Sequence, residues 1–330
     1  MSASTSLSTV SLSNGNVEPL GRAVEARTDR QPHPALISLQ GIFPPIPTPF
    51  KFDESIDFDQ LKSNFGTWNT WPLAGYVVCG STGEFVSLSV GERVELIRAA
   101  RQAIPSGKLL IAGAGQESTR ETVALAGQMA AAGADALIVV TPSYYGPSLD
   151  SAALLAHYRS VAEASPVPVV LYSVPLYTHL DLPVDVVREL SAHPNVIGIK
   201  ESGGSLAKIT RLVHETPDDF QVLVGSAGLL MGALAVGAVG CVPSLGNVAG
   251  HRIHELITAF QEGDLTLAKR IQAELVEPNE IVTSRFGVAG LKAALDLVGL
   301  YGGPPRSPLQ ALGKEKRAVL KAVLTRARLV

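Results

Sequence analysis

The chain has 330 residues, of which 46% are apolar and 17% charged, so it can bury a large core as one large or two ordinary domains. A formal net charge of -3, without a basic stripe, gives no electrostatic footprint for nucleic acid. The most apolar stretch, residues 222–242, is interrupted by five glycines, which favours strand–helix–strand packing over a membrane span. We therefore expect neither a nucleic-acid partner nor a membrane.

Residues 1–38 differ in character from the rest of the chain. They are Ser-rich and polar and lack hydrophobic periodicity, which is typical of a disordered extension. Their early part is poor in acidic residues, as in a mitochondrial presequence, but Glu18 precedes the first arginine, Arg22. We predict a disordered or targeting extension over residues 1–38 and a cytoplasmic location, with a mitochondrial location as the alternative.

From Gly41 onward, strand-like and helix-like segments alternate with regular spacing. Buried-strand patterns lie at residues 42–46, 75–79, 109–112, 136–140, 169–172, 196–200, 222–224 and 239–242. Amphipathic helix patterns lie at residues 57–67, 90–103, 119–132, 150–163, 184–190, 206–213, 229–236 and 248–262. Eight strands with intervening helices predict a (β/α)8 TIM barrel over residues 39–262.

A doubly wound open sheet is the structural alternative to the barrel. No G-x-G-x-x-G motif follows the first strand, where a dinucleotide-binding fold would need it, and the segment 113–115 is too short a match. Three further helical patterns, at residues 265–275, 287–298 and 314–329, exceed what a barrel needs. We assign residues 263–330 to a C-terminal helical subdomain.

The cysteines and histidines predict no metal and no disulfide. Cys79 and Cys241 lie in apolar strand-like runs, which is typical of small buried residues in a reducing compartment. His251 and His254 have i, i+3 spacing, but neither a carboxylate nor a third ligand has a matching position.

Lys200 is the most informative residue of the chain. It ends the strand-like segment 196–200, whereas the other lysines lie in helical patterns, in loops, in the polar C-terminal stretch or, for Lys108, before a strand. Burial at a strand end disfavours the charged ammonium, and the neutral amine is the form that attacks a ketone to give a Schiff base. Lys200 is therefore the candidate nucleophile.

Other strand ends should bring polar groups to the same face, because chemistry in such barrels occurs at the C-terminal ends of the strands. Ser81 and Thr82 follow strand two between glycines and can bind a carboxylate, although an ordinary turn has the same pattern. Tyr172 ends strand five and can transfer protons, although a core aromatic residue is the alternative. Tyr145 lies in an aromatic loop after strand four, and Ser244 follows strand eight.

Three segments resemble the signature of the dihydrodipicolinate synthase/N-acetylneuraminate lyase family: Gly80-Ser81-Thr82-Gly83-Glu84, Leu171-Tyr172-Ser173-Val174-Pro175 and Gly198-Ile199-Lys200-Glu201-Ser202-Gly203-Gly204. The resemblance covers about residues 40–312. Within the family it is closest to 4-hydroxy-2-oxoglutarate aldolase, through residues 170–175, 180–185, 277–279, 284–287 and 301–304. It implies a cofactor-free class I pyruvate aldolase on a (β/α)8 barrel, a small-molecule 2-keto acid as substrate and a homotetramer.

The resemblance also implies roles for individual residues. Lys200 matches the Schiff-base lysine, Tyr172 the tyrosine that transfers protons, and Ser81 and Thr82 the pair that binds the pyruvate carboxylate. Tyr145 matches an aromatic residue that many members contribute across a subunit interface. Ser202 matches a substrate-binding position of the hydroxy-oxoglutarate branch, and we add Gly225 and Ser244, at the ends of strands seven and eight, to the substrate-binding set.

Departures from the family pattern bear on the substrate. Dihydrodipicolinate synthases have an arginine where this chain has Tyr177 and an asparagine where it has Ser173, and the missing arginine removes a bidentate carboxylate clamp. Neuraminate lyases have acidic residues where this chain has Gly-Ser-Ala-Gly at 225–228. Thr82 stands where the animal hydroxy-oxoglutarate aldolases have an asparagine. His179 is the one cation that the sequence offers for binding a carboxylate at the far end of the substrate.

The leading substrate is 4-hydroxy-2-oxoglutarate, which would give pyruvate and glyoxylate. The alternatives are a 2-keto-3-deoxy sugar acid that gives pyruvate and glyceraldehyde, a dehydratase reaction on a keto-deoxy acid, and dihydrodipicolinate synthase activity. A non-catalytic or phosphate-binding barrel, with an anion nest at residues 226–228, is the alternative outside enzymes.

Overall fold

Eight parallel strands form one sheet within residues 37–330, the part of the chain that this computed structural model describes. They are β1 Gly41–Ile42, β2 Gly75–Val78, β3 Leu109–Gly113, β4 Ala136–Val140, β5 Val169–Ser173, β6 Val196–Glu201, β7 Gln221–Val224 and β8 Gly240–Cys241. Neighbours in the sheet follow the chain order from β2 to β8, and β8 also pairs with β1. This order, with helices between the strands, is that of a (β/α)8 barrel.

The barrel closes where the chain after β1 meets β2. The Val77 N–H donates to the Pro44 carbonyl (3.1 Å), and the Ile46 N–H donates to the Val77 carbonyl (3.0 Å). The predicted first strand, 42–46, was too long because Pro44 and Pro45 have no N–H to donate to a ladder. The closed order confirms the predicted barrel and excludes the doubly wound sheet.

Eight of the nine described helices that surround the barrel begin and end within two residues of the predicted positions, and the single turn Pro175–Thr178 was not predicted. The nine are α1 Phe58–Trp68, α2 Val90–Ala103, α3 Thr119–Ala131, α4 Ser151–Ala164, the single turn α5 Pro175–Thr178, α6 Val184–Leu190, α7 Leu206–Glu215, α8 Leu230–Ala235 and α9 Gly246–Gln261. Local chemistry sets their ends. At the start of α2, the Ser89 hydroxyl accepts from the Glu92 N–H (3.2 Å) and the Glu92 carboxylate accepts from the Ser89 N–H (2.8 Å), a reciprocal capping box.

Apolar side chains fill two regions of the core. One lies inside the barrel, where side chains from successive strands meet, and it includes Phe43, Val77, Ile111, Val170 and Leu223. The other, larger region lies between the sheet and the surrounding helices. Burial on both faces explains why the strand sequences are continuous apolar runs and do not alternate between apolar and polar residues.

Three further helices follow the barrel: α10 Leu265–Glu280, α11 Gly287–Leu297 and α12 Lys314–Arg326, as the sequence predicts. Helix α10 is longer than predicted. It continues through Pro278, and a π-helical segment, Ile281–Arg285, then leads to α11. Pro278 lacks the N–H that closes a helical turn, and π-helical turns occur often at functional sites.

Residues 1–36 of the predicted extension lie outside the part of the chain that the structure describes. In the described remainder of the chain, the helices are too short or too polar to cross a bilayer.

Candidate active site

Lys200 and Tyr172 are direct neighbours on strands β6 and β5. The Lys200 Nζ lies 4.1 Å from the centre of the Tyr172 ring, and the two side chains are buried. A one-residue irregularity in β6 produces this pairing. Val169 pairs with Val196, but Val170 pairs with Gly198, so Ile197 is an extra residue. Because side chains alternate between the two faces of a strand, the extra residue turns Lys200 to the face that carries Tyr172.

Ser81 and Thr82 lie in a short 3-10 turn, Ser81–Gly83, directly after β2. Cys79 (φ 60°), which precedes Gly80, and Glu84 (φ 57°), which follows Gly83, adopt the left-handed conformation. This conformation is unusual for residues other than glycine. The turn is held toward the barrel mouth by a hydrogen bond from the Thr48 hydroxyl to the Gly83 carbonyl (2.7 Å).

Both hydroxyls of this turn contact other predicted site residues. The Ser81 Oγ lies 3.4 Å from the Tyr172 hydroxyl, and the Thr82 Oγ1 lies 2.8 Å from the Ser244 Oγ. Ser244 follows β8, so the strand ends of β2, β5 and β8 meet at this point. The arrangement places several hydroxyl groups in the cavity that Lys200 also lines, and such groups can donate hydrogen bonds to a small anion.

A cavity of about 280 Å³ lies at the C-terminal ends of the strands. Seven of the eight predicted site residues line it: Lys200, Tyr172, Ser81, Thr82, Ser202, Gly225 and Ser244. Tyr145 does not line it. Its side chain is 71% exposed on the loop after β4 and packs edge-on against Tyr144, with 5.0 Å between the ring centres.

Gly225 has a steric reason to be a glycine. A Cβ atom at this position would lie 1.9 Å from the Ser202 Oγ and 2.8 Å from the Ser202 Cβ. Distances this short are not compatible with any side chain on residue 225, so the glycine makes room for the Ser202 hydroxyl at the cavity wall.

Sequence reasoning missed one wall of the cavity, which the end of α10 and the π-helical segment provide. This wall includes Asn279, Glu280, Val282, Thr283 and Ser284. The segments 277–279 and 284–287 carried a family resemblance, but the helical patterns by themselves gave no sign that these helices reach the barrel mouth. The C-terminal helices thus complete the site.

A buried ion pair behind the site was also missed, because its lysine, Lys208, lies in a helical pattern. Glu201, which follows Lys200, is fully buried, and its carboxylate pairs with the Lys208 Nζ at 2.6 Å. Lys208 also contacts Asp181, which accepts a hydrogen bond from the Ser173 hydroxyl (2.8 Å). The network ties the ends of β5 and β6 together behind Tyr172 and Lys200.

The anion nest considered at residues 226–228 is already occupied by the protein's own groups. The Ala227 N–H donates to the Asn279 Oδ1 (3.2 Å), and the Gly228 N–H donates to the Ser226 Oγ (3.2 Å). This turn therefore does not present free amides to a phosphate, which counts against the phosphate-binding alternative.

Cys79 and Cys241 are buried free thiols, as predicted. Burial raises the pKa of Cys79 to about 12, with Arg93 opposing the shift, so Cys79 is not a thiolate at neutral pH. Within residues 37–330, no cluster of three or more histidine, cysteine, aspartate or glutamate side chains has the geometry of a metal site.

A buried lysine beside a tyrosine and a pair of hydroxyls, at the C-terminal mouth of a (β/α)8 barrel, is an arrangement typical of lyases that form a Schiff base. The comparisons with known proteins agree. A model of the dihydrodipicolinate synthetase family matches residues 38–327. The chain is 37% identical over 288 residues to 4-hydroxy-tetrahydrodipicolinate synthase of Methanothrix thermoacetophila, a match that covers 87% of this chain and 96% of that protein.

Solved structures give the same result. Dihydrodipicolinate synthase from Bacillus anthracis has a TM-score of 0.85 and 32% identity, covering 88% of this chain and 99% of that one. YagE, a prophage protein of the dihydrodipicolinic acid synthase family from E. coli K12 in complex with pyruvate, has a TM-score of 0.84 and 28% identity, covering 88% and 99%. The chain belongs to the dihydrodipicolinate synthetase family.

Enzymes of this family are carbon–carbon lyases or condensing enzymes of the aldolase type. They bind small keto acids, form a Schiff base between pyruvate and a lysine without a cofactor, and are usually oligomeric. The expected closeness to 4-hydroxy-2-oxoglutarate aldolase is not confirmed, because the relatives quoted above carry synthase names.

Proposed function

We propose that this protein cleaves a 4-hydroxy-2-keto acid to pyruvate and an aldehyde through an imine on Lys200. The observation that carries the proposal is that Lys200, Tyr172, Ser81 and Thr82 line one cavity, although they come from strands that lie far apart in the sequence. Each is an ordinary residue alone, but together they supply a nucleophile, a proton-transfer group and a carboxylate site.

Binding precedes the chemistry. The carboxylate of the keto acid binds at the hydroxyls of Ser81 and Thr82, which fixes carbon 2 beside the Lys200 amine and makes its attack effectively intramolecular. The neutral amine adds to carbon 2, and the resulting carbinolamine loses water to give an iminium. Tyr172, within reach of the Ser81 hydroxyl, supplies and removes the protons of this step.

The iminium then acts as the electron sink for cleavage. Tyr172 accepts the proton of the hydroxyl on carbon 4, the bond between carbons 3 and 4 breaks, and the aldehyde leaves. The electron pair of that bond forms an enamine, which is protonated at carbon 3. Water then hydrolyses the imine, so that pyruvate and free Lys200 are released and the water lost earlier is restored.

Synthase activity, the condensation that gives 4-hydroxy-tetrahydrodipicolinate, is the second candidate because the relatives bear that name. It would use the same imine. Tyr177 counts against it, since this residue lines the cavity where the synthases have an arginine that clamps a carboxylate. A dehydratase that expels water from a keto-deoxy acid would also use the imine and is distinguished by its product.

Borohydride trapping tests the proposal. The protein is incubated with pyruvate and sodium borohydride, and the adduct is located by intact mass and peptide mapping. We expect one reduced pyruvyl adduct, on Lys200, and none in Lys200→Ala, while Lys269→Ala, at an exposed position of the helix 265–280, serves as the control lysine. The Schiff-base proposal would be refuted if the folded native protein gave no adduct, or if Lys200→Ala gave the same adduct.

We also propose that the protein forms a homotetramer in which Tyr145 acts at a neighbouring subunit's site. The exposed Tyr144–Tyr145 pair, outside the cavity of its own chain, supports this role. Analytical ultracentrifugation of the native protein and of Tyr145→Ala tests it. A monomer with full activity, or a Tyr145→Ala variant with unchanged kcat, would contradict it.

A further inference from the structure

The part of the cavity beyond Lys200 must hold the half of the substrate that leaves as the aldehyde. With the carboxylate at Ser81 and Thr82 and carbon 2 at Lys200, carbon 4 and the atoms after it extend into the remaining space. That space is bounded by Ser202, by the turn after β7 and by the wall from α10 and the π-helical segment. The side chains of these residues therefore select the aldehyde.

This distal space has no cation for a second carboxylate. Among the described residues that line the cavity, Lys200 is the sole lysine, arginine or histidine, and the imine consumes its amine. Arg285 lines a neighbouring cavity of about 770 Å³, which adjoins this one through five shared lining residues that include Tyr177 and Val288, and its guanidinium lies 5.3 Å from the Phe286 ring centre. His179, the cation considered from the sequence, is exposed and does not line the cavity.

Lys208 is not available to a substrate either. Its Nζ is held by the Glu201 carboxylate (2.6 Å) and by Asp181, and it does not line the cavity. A carboxylate on the distal half of the substrate would thus be removed from water without a partner of opposite charge, which is unfavourable.

An acidic side chain lies in the same wall. Glu280, the last residue of α10, lines the cavity at its solvent-exposed rim, and within residues 37–330 its carboxylate makes no ion pair. A second carboxylate on the substrate would meet a like charge there, whereas a hydroxyl group would find a hydrogen-bond acceptor.

The remaining polar groups of the wall suit hydroxyls. The Ser226 Oγ accepts from the Gly228 N–H (3.2 Å) and the Asn279 Nδ2 (3.0 Å), so its own hydrogen is free to be donated. The Ser202 hydroxyl lines the cavity in the space left by Gly225. Substrate hydroxyls both donate and accept, as this mixture of neutral donors and a carboxylate acceptor requires.

We propose that the aldehyde half of the substrate is uncharged and hydroxylated, so that the substrate belongs to the 2-keto-3-deoxy sugar acids, and that Glu280 is the residue that rejects a second carboxylate. The proposal rests on the aldolase function proposed above and chooses between its substrates. It favours a hydroxyaldehyde over glyoxylate, in contrast to the leading substrate suggested by the family resemblance.

The test compares kcat/KM for two substrates, a six-carbon 2-keto-3-deoxy aldonate and 4-hydroxy-2-oxoglutarate, by following pyruvate release from the native protein. We expect the aldonate to be preferred by about tenfold or more, since an unpaired charge in a polar site is strongly rejected. Glu280→Gln should lower this preference by about threefold or more by removing the like charge, and Glu280→Arg should lower it further.

Glu277→Gln is the matched control. Glu277 lies on the same helix, pairs with Arg326 and does not line the cavity, so its substitution should leave the preference unchanged. A wild-type preference for the dicarboxylate, a preference below threefold, or Glu280 variants that behave like Glu277→Gln would overturn the proposal.

Borohydride trapping separates this result from failure of the aldolase function. If pyruvate forms the Lys200 adduct but 4-hydroxy-2-oxoglutarate is the better substrate, the aldolase proposal stands and the substrate assignment is wrong. If no adduct forms and neither substrate releases pyruvate, both are wrong.

Discussion

Lys292 of helix α11 and Glu84, at the end of the Ser81–Gly83 turn, form an ion pair with 2.6 Å between Nζ and Oε1 and with each side chain 1% exposed. The Lys292 ammonium also donates to the Pro304 carbonyl (2.8 Å) and lies 4.4 Å from the Phe50 ring centre. Burial lowers the pKa of Lys292, and the Glu84 carboxylate opposes this shift. The C-terminal helices thus hold the turn that carries the Ser81 and Thr82 hydroxyls.

Breaking this pair should be costly. Lys292→Met removes the ammonium that pairs with the buried Glu84 carboxylate and leaves it the Arg306 N–H (2.9 Å) and the nearby Arg306 charge, and we expect the free energy of unfolding to fall by about 3–5 kcal/mol. Urea unfolding measures the loss. The double variant Glu84→Gln, Lys292→Met should recover part of it, because no charge is then left unpaired. Lys269→Met, at an exposed position of α10, is the control, and a Lys292→Met loss as small as the control's would refute the argument.

Tyr172→Phe should slow the proton transfers of the cycle without removing the nucleophile. The ring remains beside Lys200, but the hydroxyl is lost, so kcat should fall by about 10²–10⁴-fold, and pyruvate should still be trapped on Lys200, although more slowly than in the native protein. Tyr158→Phe is the matched control. Its buried hydroxyl donates to the Val139 carbonyl (3.2 Å), so its loss should cost about 1 kcal/mol of stability and leave kcat unchanged. Equal kcat values for the two variants would remove Tyr172 from the mechanism.

Gly225→Ala tests the close approach of Ser202. The added Cβ would overlap the Ser202 side chain, and we expect a loss of about 1–3 kcal/mol in unfolding free energy together with a lower kcat/KM. Adding Ser202→Gly to the Gly225→Ala variant should restore stability more fully than adding Ser202→Ala, because the Ser202 Cβ is also too close to the new Cβ of residue 225. Gly127→Ala, in helix α3 with open space around it, should instead stabilise by about 0.5–1 kcal/mol. Two glycine variants of equal stability would contradict this reading.

His157 should make stability depend on pH. Burial lowers its pKa to about 4, with Glu117 opposing the shift, and its Nδ1 lies 2.9 Å from the Thr119 hydroxyl. As pH falls below the ordinary pKa near 6.5, the unfolded chain binds a proton that the folded protein does not, so stability is lost down to about pH 4. One unit of pKa difference corresponds to about 1.4 kcal/mol, which gives a loss of about 3 kcal/mol.

Unfolding free energies of the native protein and His157→Gln, measured between pH 4 and pH 7, test this. The variant should lose less stability over that range, whereas His254→Gln, at an exposed position, should follow the native protein. Parallel curves for the native protein and His157→Gln would contradict the assignment.

Sequence by itself determined the barrel and most of the residues of the candidate site. Parallel strands that are buried on both faces have continuous apolar sequences, which makes the strands recognisable. Residues at the C-terminal ends of these strands lie at the mouth of the barrel. Positions along the chain therefore sufficed to predict that Lys200, Tyr172, Ser81 and Thr82 lie there. Helix ends such as that of α2 were predictable because capping is local.

Tertiary structure decided what depends on contacts between distant segments. The extra residue Ile197, which turns Lys200 toward Tyr172, has no signature in a run of apolar residues, because it is defined by the pairing of β5 with β6. The same is true of the Lys292–Glu84 pair and of Glu280 at the cavity wall. Helical periodicity tells which face of a helix is apolar, but not which part of the barrel that face will cover. The proposed covalent chemistry depends on residues that the sequence singles out, while the proposed selection of the aldehyde depends on a helix that only the folded chain brings to the barrel mouth.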